Sequence, residues 1–228
     1  MHNIEKNLAR VNQQISETCD KFGRNINDIT LLAVSKKKTV SDILAALHAG
    51  QKDFAESYAQ EAEGKIDQIN EPVITWHFIG PIQSNKTRII SHRFDWVHSV
   101  DRLKIAQRLS DARPAQLPAL NVLLQVNIDQ DPAKSGIDPS QIAELADAVA
   151  RLPRLKLRGL MAIPAIHDSF EQQRQPFARM RQAFETLQQS HPDCDTLSMG
   201  MSDDMCAAIA EGSTLVRIGT AIFGPREN

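Results

Sequence analysis

Lys36 has the sequence surroundings best suited to covalent chemistry in this chain. It lies in the run Ile29 to Lys38, ITLLAVSKKK, where apolar residues lead into Ser35 and then the amine. A short apolar run of this kind is the pattern of a buried parallel strand. Alternation puts Leu32, Val34 and Lys36 on one face and Leu31, Ala33 and Ser35 on the other. If the first face lines a barrel or sheet core, Lys36 emerges at the carboxyl end of the strand, half in apolar surroundings, with Lys37 and Lys38 beside it. Desolvation and neighbouring positive charge both disfavour the ammonium form, and a neutral amine attacks aldehydes. The alternative is that Lys36 opens a solvated lysine cluster in a loop, its stem lying along the surface.

Two stretches near the carboxyl terminus suit an anion. Ser198 to Asp204, SMGMSDD, offers Gly200 for close backbone approach and Ser202 as a hydroxyl at a helix start, where unpaired N–H groups favour negative charge. Arg217 to Gly224, RIGTAIFG, offers Gly219 and Thr220, able to aim N–H groups and a hydroxyl at the same place. Taken singly, Ser202 reads more readily as a helix cap and Gly219 as a turn glycine. Asp203 and Asp204 would repel a phosphate unless they face outward and complement the helix dipole. Together with Lys36, the two stretches shift the balance from cap and turn towards an anion site.

Other residues carry weaker signals. Gly80 to Thr87, GPIQSNKT, nearly matches a nucleotide phosphate loop, but Asn85 replaces the second glycine and Pro81 removes a donor. His77 and Tyr58 could face the same mouth, although a hydrogen-bonded core histidine is the preferred reading of His77. Asp129, Asp131, Lys134 and Gly136 read as a solvated loop, and Met161, Met199, Met201 and Met205 as core or cofactor-edge filler. Cys19, Cys194 and Cys206 are odd in number and widely spaced, so neither a disulfide framework nor a metal site is expected.

The elements that must position these groups alternate. Ile4, Leu8, Val11, Ile15 and Phe22 mark a helix over residues 3 to 22, closed by Gly23. Strands follow at Ile29–Lys36, Asp53–Glu56, Thr75–Ile79, Asp95–Val100, Asn121–Ile128, Leu155–Ile163, Thr196–Met199 and Thr214–Ile218, with helices between them. Ser41, Asp101 and Ser202 read as helix caps, and Asp138, Pro139 and Gln141 as a cap, first-turn and box set. Eight strands alternating with helices in 228 residues predict one α/β domain over the whole chain, a single (β/α)8 TIM-type barrel with an extra helix at its amino terminus. An open doubly wound sheet is the competing fold. The functional mouth of such a barrel lies at the carboxyl ends of its strands, with phosphate held after strands seven and eight.

Charge nearly cancels, with 26 basic against 28 acidic residues, which gives no reason to expect nucleic acid or an anionic membrane as partner. No signal-peptide core or membrane span is visible in the sequence, and a soluble cytoplasmic protein is expected.

The motifs LLAVSK around Lys36, WHFIGPIQSNK at 76 to 86, GLMAIP at 159 to 164, SMGMSDDM at 198 to 205 and VRIGTAIFG at 216 to 224 resemble those of the pyridoxal-phosphate homeostasis protein family. That family is similar to the amino-terminal barrel of alanine racemase. The resemblance implies pyridoxal 5′-phosphate as cofactor, held as a Schiff base on Lys36. It implies Arg217 as partner of the pyridine nitrogen and Ser202, Gly219 and Thr220 as the phosphate cradle. One departure is visible: Phe54 to Glu61, FAESYAQE, has Ala55 and Ser57 where the family reads glycine and asparagine.

The function so implied is intracellular homeostasis of pyridoxal phosphate by a binding protein without catalytic residues. A charged guanidinium against the ring nitrogen disfavours the pyridinium, the form that best absorbs carbanion charge, and the one tyrosine, Tyr58, leaves a second base without an obvious donor. The expected partners are the cofactor and recipient apo-enzymes, with the protein itself a monomer. The rival is a small amino-acid racemase using Lys36 with Tyr58 or His77, and a third reading is a phosphate-binding barrel unrelated to pyridoxal.

Overall fold

Apolar residues at helical spacing bury Ile4, Leu8, Val11 and Ile15 along one face of α1 (Ile4–Phe22). The Asn3 side chain caps its start by accepting from the Lys6 N–H at 2.9 Å, and Gly23, at φ 64°, closes its end. The computed structural model describes residues 3–225.

Strands and helices then alternate: β1 (Thr30–Val34), α2 (Val40–His48), β2 (Asp53–Glu56), α3 (Ala59–Ile69), β3 (Thr75–Phe78), α4 (Thr87–Arg93), β4 (Trp96–Val100), α5 (Leu103–Ala112), β5 (Leu120–Val126), α6 (Ile142–Ala150), β6 (Leu155–Ala162), α7 (Phe170–Ser190), β7 (Thr196–Ser198), α8 (Met205–Ala210), β8 (Leu215–Ile218) and α9 (Thr220–Phe223). Neighbouring strands pair in parallel in sequence order, and β8 returns to β1 with Leu32 opposite Arg217 and Ala33 opposite Ile218. The sheet is therefore a closed barrel, and the open doubly wound alternative is excluded.

Alternation along each strand divides the core in two. Outward residues such as Ala33, Phe54, Val97 and Val122 pack beneath the helices in one continuous apolar layer. Inside the barrel, Leu32, Ala55 and Leu215 make a small separate cluster, with Val34 and Ile79 against it. Much of the remaining interior is polar, with His77, His98, Ser198 and Arg217 all buried. Barrels of this class usually fill that space with layers of branched aliphatic side chains.

Three expected helix starts fall elsewhere. Thr39, not Ser41, caps α2, because its hydroxyl accepts from the Asp42 N–H at 3.1 Å while the Asp42 carboxylate accepts from the Thr39 N–H at 2.9 Å. Asp101 lies one residue ahead of the α5 cap, Arg102, and pairs with its guanidinium at 2.6 Å. Ser202 sits in the turn before α8, whose cap position belongs to Asp204. The box at Asp138 and Gln141 does form, over a 3₁₀ turn leading into α6. The loop expected to be merely solvated is tied down: Asp129 takes Lys134 at 3.0 Å, Arg179 at 3.3 Å and the Ala165 N–H at 2.6 Å.

Gly80, in the loop that resembled a nucleotide site, has a packing reason. A β-carbon there would collide with the carbonyl oxygen of Ser57, so the loops after β2 and β3 touch only because this residue lacks one.

Candidate functional site

Closure of the barrel makes the loops after β1, β7 and β8 neighbours, although their residues are far apart in sequence. Hydrogen bonds lock the three together. The Lys38 ammonium donates to the carbonyls of Phe223, Gly224 and Pro225 at 3.2, 3.1 and 2.9 Å, so the loop carrying Lys36 grips the end of α9. The Arg217 N–H donates to the Gly200 carbonyl at 2.9 Å, joining β8 to the loop after β7. Gly219 lies against the end of β1, where an added β-carbon would stand 3.4 Å from the Val34 carbonyl oxygen.

Around this junction stand the residues singled out from the sequence. Lys36 is partly buried in the turn just past β1, which ends at Val34 rather than at the lysine itself. Gly219 caps α9 and Thr220, exposed, is its first residue, so the earliest N–H groups of that turn have no partner within the helix. Ser202 is exposed in the turn before α8. Asp204 turns its carboxylate inward to accept from the Met201 N–H at 2.6 Å. Burial pushes the Asp204 carboxyl up, against the pull of that N–H and of Arg217.

Arg217 sits deeper, 4 % exposed, on the inward face of β8. Its guanidinium donates to Ser198 Oγ at 2.7 Å and to the Ala162 carbonyl at 2.9 Å, which fixes its plane with two of its five N–H bonds. Burial pushes its pKa down to about 10, offset in part by Asp204, so it stays charged at neutral pH.

Beneath Arg217 the polar interior continues. Ser198 Oγ lies 3.0 Å from His98 Nδ1, His98 Nε2 lies 3.0 Å from His77 Nδ1, and His77 Nε2 lies 3.2 Å from Asp53 Oδ1. His77 is thus the hydrogen-bonded core histidine that the sequence favoured, and it faces the amino-terminal floor of the barrel rather than the mouth.

Behind Lys36, between the barrel and α3, lies a second polar knot. The Lys65 ammonium donates to the Glu56 carboxylate at 2.8 Å, to Glu61 at 2.6 Å and to the Ser35 carbonyl at 2.9 Å. Ser35 Oγ donates to Glu56 at 2.7 Å, and the Lys37 N–H donates to Glu61 at 2.6 Å. Both neighbours of Lys36 are thereby fixed by α3 and β2. Burial pushes the Glu56 carboxyl up, with Lys65 and Ser35 pulling the other way.

Ser198, His98, Glu56 and Lys65 were not singled out from the sequence. Period-two alternation puts His98 with Trp96, and Ser198 with Thr196, on the inward face, before a register shift returns Val100 to the outer layer. A histidine two residues from a tryptophan was the available signal for His98. Lys65 had only its i,i+4 spacing from Glu61, because its other partners, Glu56 and Ser35, come from β2 and the turn after β1.

Chemically, the junction combines an amine, a fixed guanidinium, two hydroxyls and the start of a helical turn. Nearly all are donors, the complement of an anionic ligand with an electrophilic carbon.

Residues 4–227 match the family described as Alanine racemase, N-terminal domain. The chain is 54% identical over 230 residues to the pyridoxal phosphate homeostasis protein of Escherichia coli (strain K12), covering 100% of this chain and 98% of that one. It is 53% identical over 227 residues to the protein of the same name from Pseudomonas aeruginosa, covering 100% and 97%. Among solved structures, PipY of Synechococcus elongatus PCC7942 with PLP bound superposes with a TM-score of 0.85 at 34% identity, covering 97% of this chain and 100% of that one. Alanine racemase from Corynebacterium glutamicum shares the fold, with a TM-score of 0.72 at 14% identity over 99% of this chain and 61% of that one.

Proposed function

This chain belongs to the pyridoxal phosphate homeostasis protein family, built on the barrel of the alanine racemase amino-terminal domain, and from that premise we propose that it binds pyridoxal 5′-phosphate as a reservoir and donor rather than as a turnover catalyst. The cofactor supplies an aldehyde, which the Lys36 amine holds as a Schiff base. Arg217 faces the ring nitrogen, and Ser202, Gly219 and Thr220 receive the phosphate.

The donor set fits that ligand. An amine beside the end of β1, a guanidinium at the base of the mouth and hydroxyls beside the first turn of α9 match an aldehyde, a ring nitrogen and a phosphate in turn. Asp204, the acid that could repel the phosphate, has its carboxylate engaged by the Met201 N–H.

The observation that carries the non-catalytic half of the reading is the anchoring of Arg217. A guanidinium held from below by Ser198 and Ala162, and charged at neutral pH, keeps its place at the base of the mouth, and beside a ring nitrogen it would disfavour protonation there. The cofactor's power to absorb carbanion charge is weakened accordingly. The candidates for a second base support the same reading. His77 is engaged with Asp53 and His98 on the floor side, and Tyr58 is 50% exposed. In this reading the protein acts as a monomer in the cytoplasm and passes cofactor to apo-enzymes.

Incubating the cofactor-loaded protein with single-enantiomer amino acids in deuterated water tests the reading. No multiple-turnover deuterium at Cα is expected. Many turnovers would reject the reservoir in favour of an enzyme.

A further inference from the structure

We propose that Ser198, His98 and His77 are positioning residues for Arg217, forming a hydrogen-bonded relay through the barrel that couples the guanidinium at the mouth to a proton bound at the floor. The inference rests on the reading that Arg217 addresses the cofactor ring.

The relay has one consistent direction when both histidines are neutral. Arg217 can only donate and the Asp53 carboxylate can only accept. Arg217 Nη1–H donates to Ser198 Oγ, whose hydroxyl donates to His98 Nδ1. His98 Nε2–H then donates to His77 Nδ1, and His77 Nε2–H to Asp53. The four links measure 2.7, 3.0, 3.0 and 3.2 Å. Each group makes the bond its chemistry permits, and none is left in conflict.

Uptake of one proton from solvent changes the pattern along the whole line. With His77 an imidazolium, both of its nitrogens donate, so His98 Nε2 must accept. His98, still neutral, then carries its hydrogen on Nδ1 and points it at Ser198 Oγ. The Ser198 hydroxyl hydrogen has to leave that bond, and its oxygen accepts from both sides. One proton is gained overall: the His98 Nε2 hydrogen passes to His77 Nδ1, the added proton comes to rest on His98 Nδ1, and the change reaches the residue that holds Arg217.

The floor cavity and the contact with Asp53 assign the proton to His77. His98 is fully buried, and desolvation, with His77 and Arg217 beside it, holds its pKa well below the ordinary range. His77 instead adjoins a floor cavity of about 240 Å3 bounded by Asp53, Trp96, Arg158 and Asp195. The charged and titratable groups facing it are Asp53 from β2, His98 from β4, Arg158 from β6, Asp195 from β7 and Asp28 from the turn before β1. Arg158 is neutralised by Asp195 and stacks on Trp96 with its guanidinium 4.6 Å from the ring centroid, while His77 stacks on the same ring at 5.5 Å. Asp53, at hydrogen-bond distance, is the group placed to hold the imidazolium.

Nitrogen-15 NMR of the cofactor-free protein across pH tests the relay directly. The expected result is that His98 changes tautomer, and the Arg217 side-chain Nε signal shifts, with the same midpoint as His77 protonation. In Ser198→Ala the Arg217 shift is lost while His77 still titrates, and in His77→Gln both changes disappear. A His98 that keeps one tautomer while His77 titrates, or an Arg217 signal that follows His77 in Ser198→Ala, overturns the proposal. Cofactor titration of the same samples separates the two readings: failure of the native protein to bind pyridoxal 5′-phosphate removes the reservoir function and leaves the coupled NMR titration as it stands.

Discussion

The Lys65 ammonium lies 2.8 Å from the Glu56 carboxylate, in a pocket where Glu56 is fully buried and its second oxygen has no hydrogen-bond partner among the described residues. A buried acid of this kind is tolerated only while its counter-ion is present. Lys65→Met should therefore destabilise the fold by about 3 kcal/mol, since it leaves a buried charge uncompensated. Combining it with Glu56→Leu should recover most of that loss. Urea denaturation of the native protein and both variants measures it, and an unchanged midpoint for Lys65→Met alone would contradict it.

The same pair predicts a pH dependence. Burial raises the folded-state pKa of Glu56 above its ordinary 4.5. The folded chain therefore holds that proton to higher pH than the unfolded chain does. Its contribution to stability is complete below 4.5 and is lost as pH rises through the folded value. Lys65 opposes the rise, so removing it makes the loss larger. The stability deficit of Lys65→Met relative to the native protein should be small in acid and grow towards neutrality. Denaturation curves at several pH values check it, and a deficit that grows in acid would contradict it.

Arg217→Met should weaken pyridoxal 5′-phosphate binding by roughly tenfold or more, because a hydrogen bond to a charged donor contributes about 1.5–3 kcal/mol. Arg217→Lys should not restore the native value, since an ammonium cannot hold Ser198, Ala162 and the ring nitrogen in one plane. Equilibrium titration by absorbance reads both. Native affinity in either variant would remove Arg217 from the site.

Gly80→Ala should cost about 1–3 kcal/mol, the scale of overpacking a tight contact, because its methyl meets backbone rather than a flexible side chain. Thermal unfolding measures it. An unshifted transition would mean that the loops after β2 and β3 do not touch as described.

The barrel was legible because its signals are local. Alternation in the first strand, the box at Asp138 and Gln141, and Gly23 at the end of α1 each report on a few adjacent residues, and the elements they predict are present. Helix starts were legible only in part, since Thr39 and Ser41 are both good caps and the choice fell to which could reciprocate with Asp42. The mouth could be anticipated from the rule that loops after the last strands meet the first in a closed barrel. The network beneath it could not. Asp53, His77, His98, Ser198 and Arg217 belong to five strands, and their contacts exist only once register and closure are set. Lys65 illustrates the same limit, because on its own helix it reads as a solvated lysine, and only β2 packing beneath α3 makes it a buried counter-ion.

The covalent role of Lys36 is tested most directly by borohydride reduction of the cofactor-loaded protein followed by peptide mass mapping, with Lys36→Ala alongside. The account predicts one pyridoxyl adduct on the peptide containing Lys36 and loss of both adduct and visible absorbance in the variant. An adduct retained in Lys36→Ala, or a native protein that stays colourless and unmodified at saturating cofactor, would contradict it.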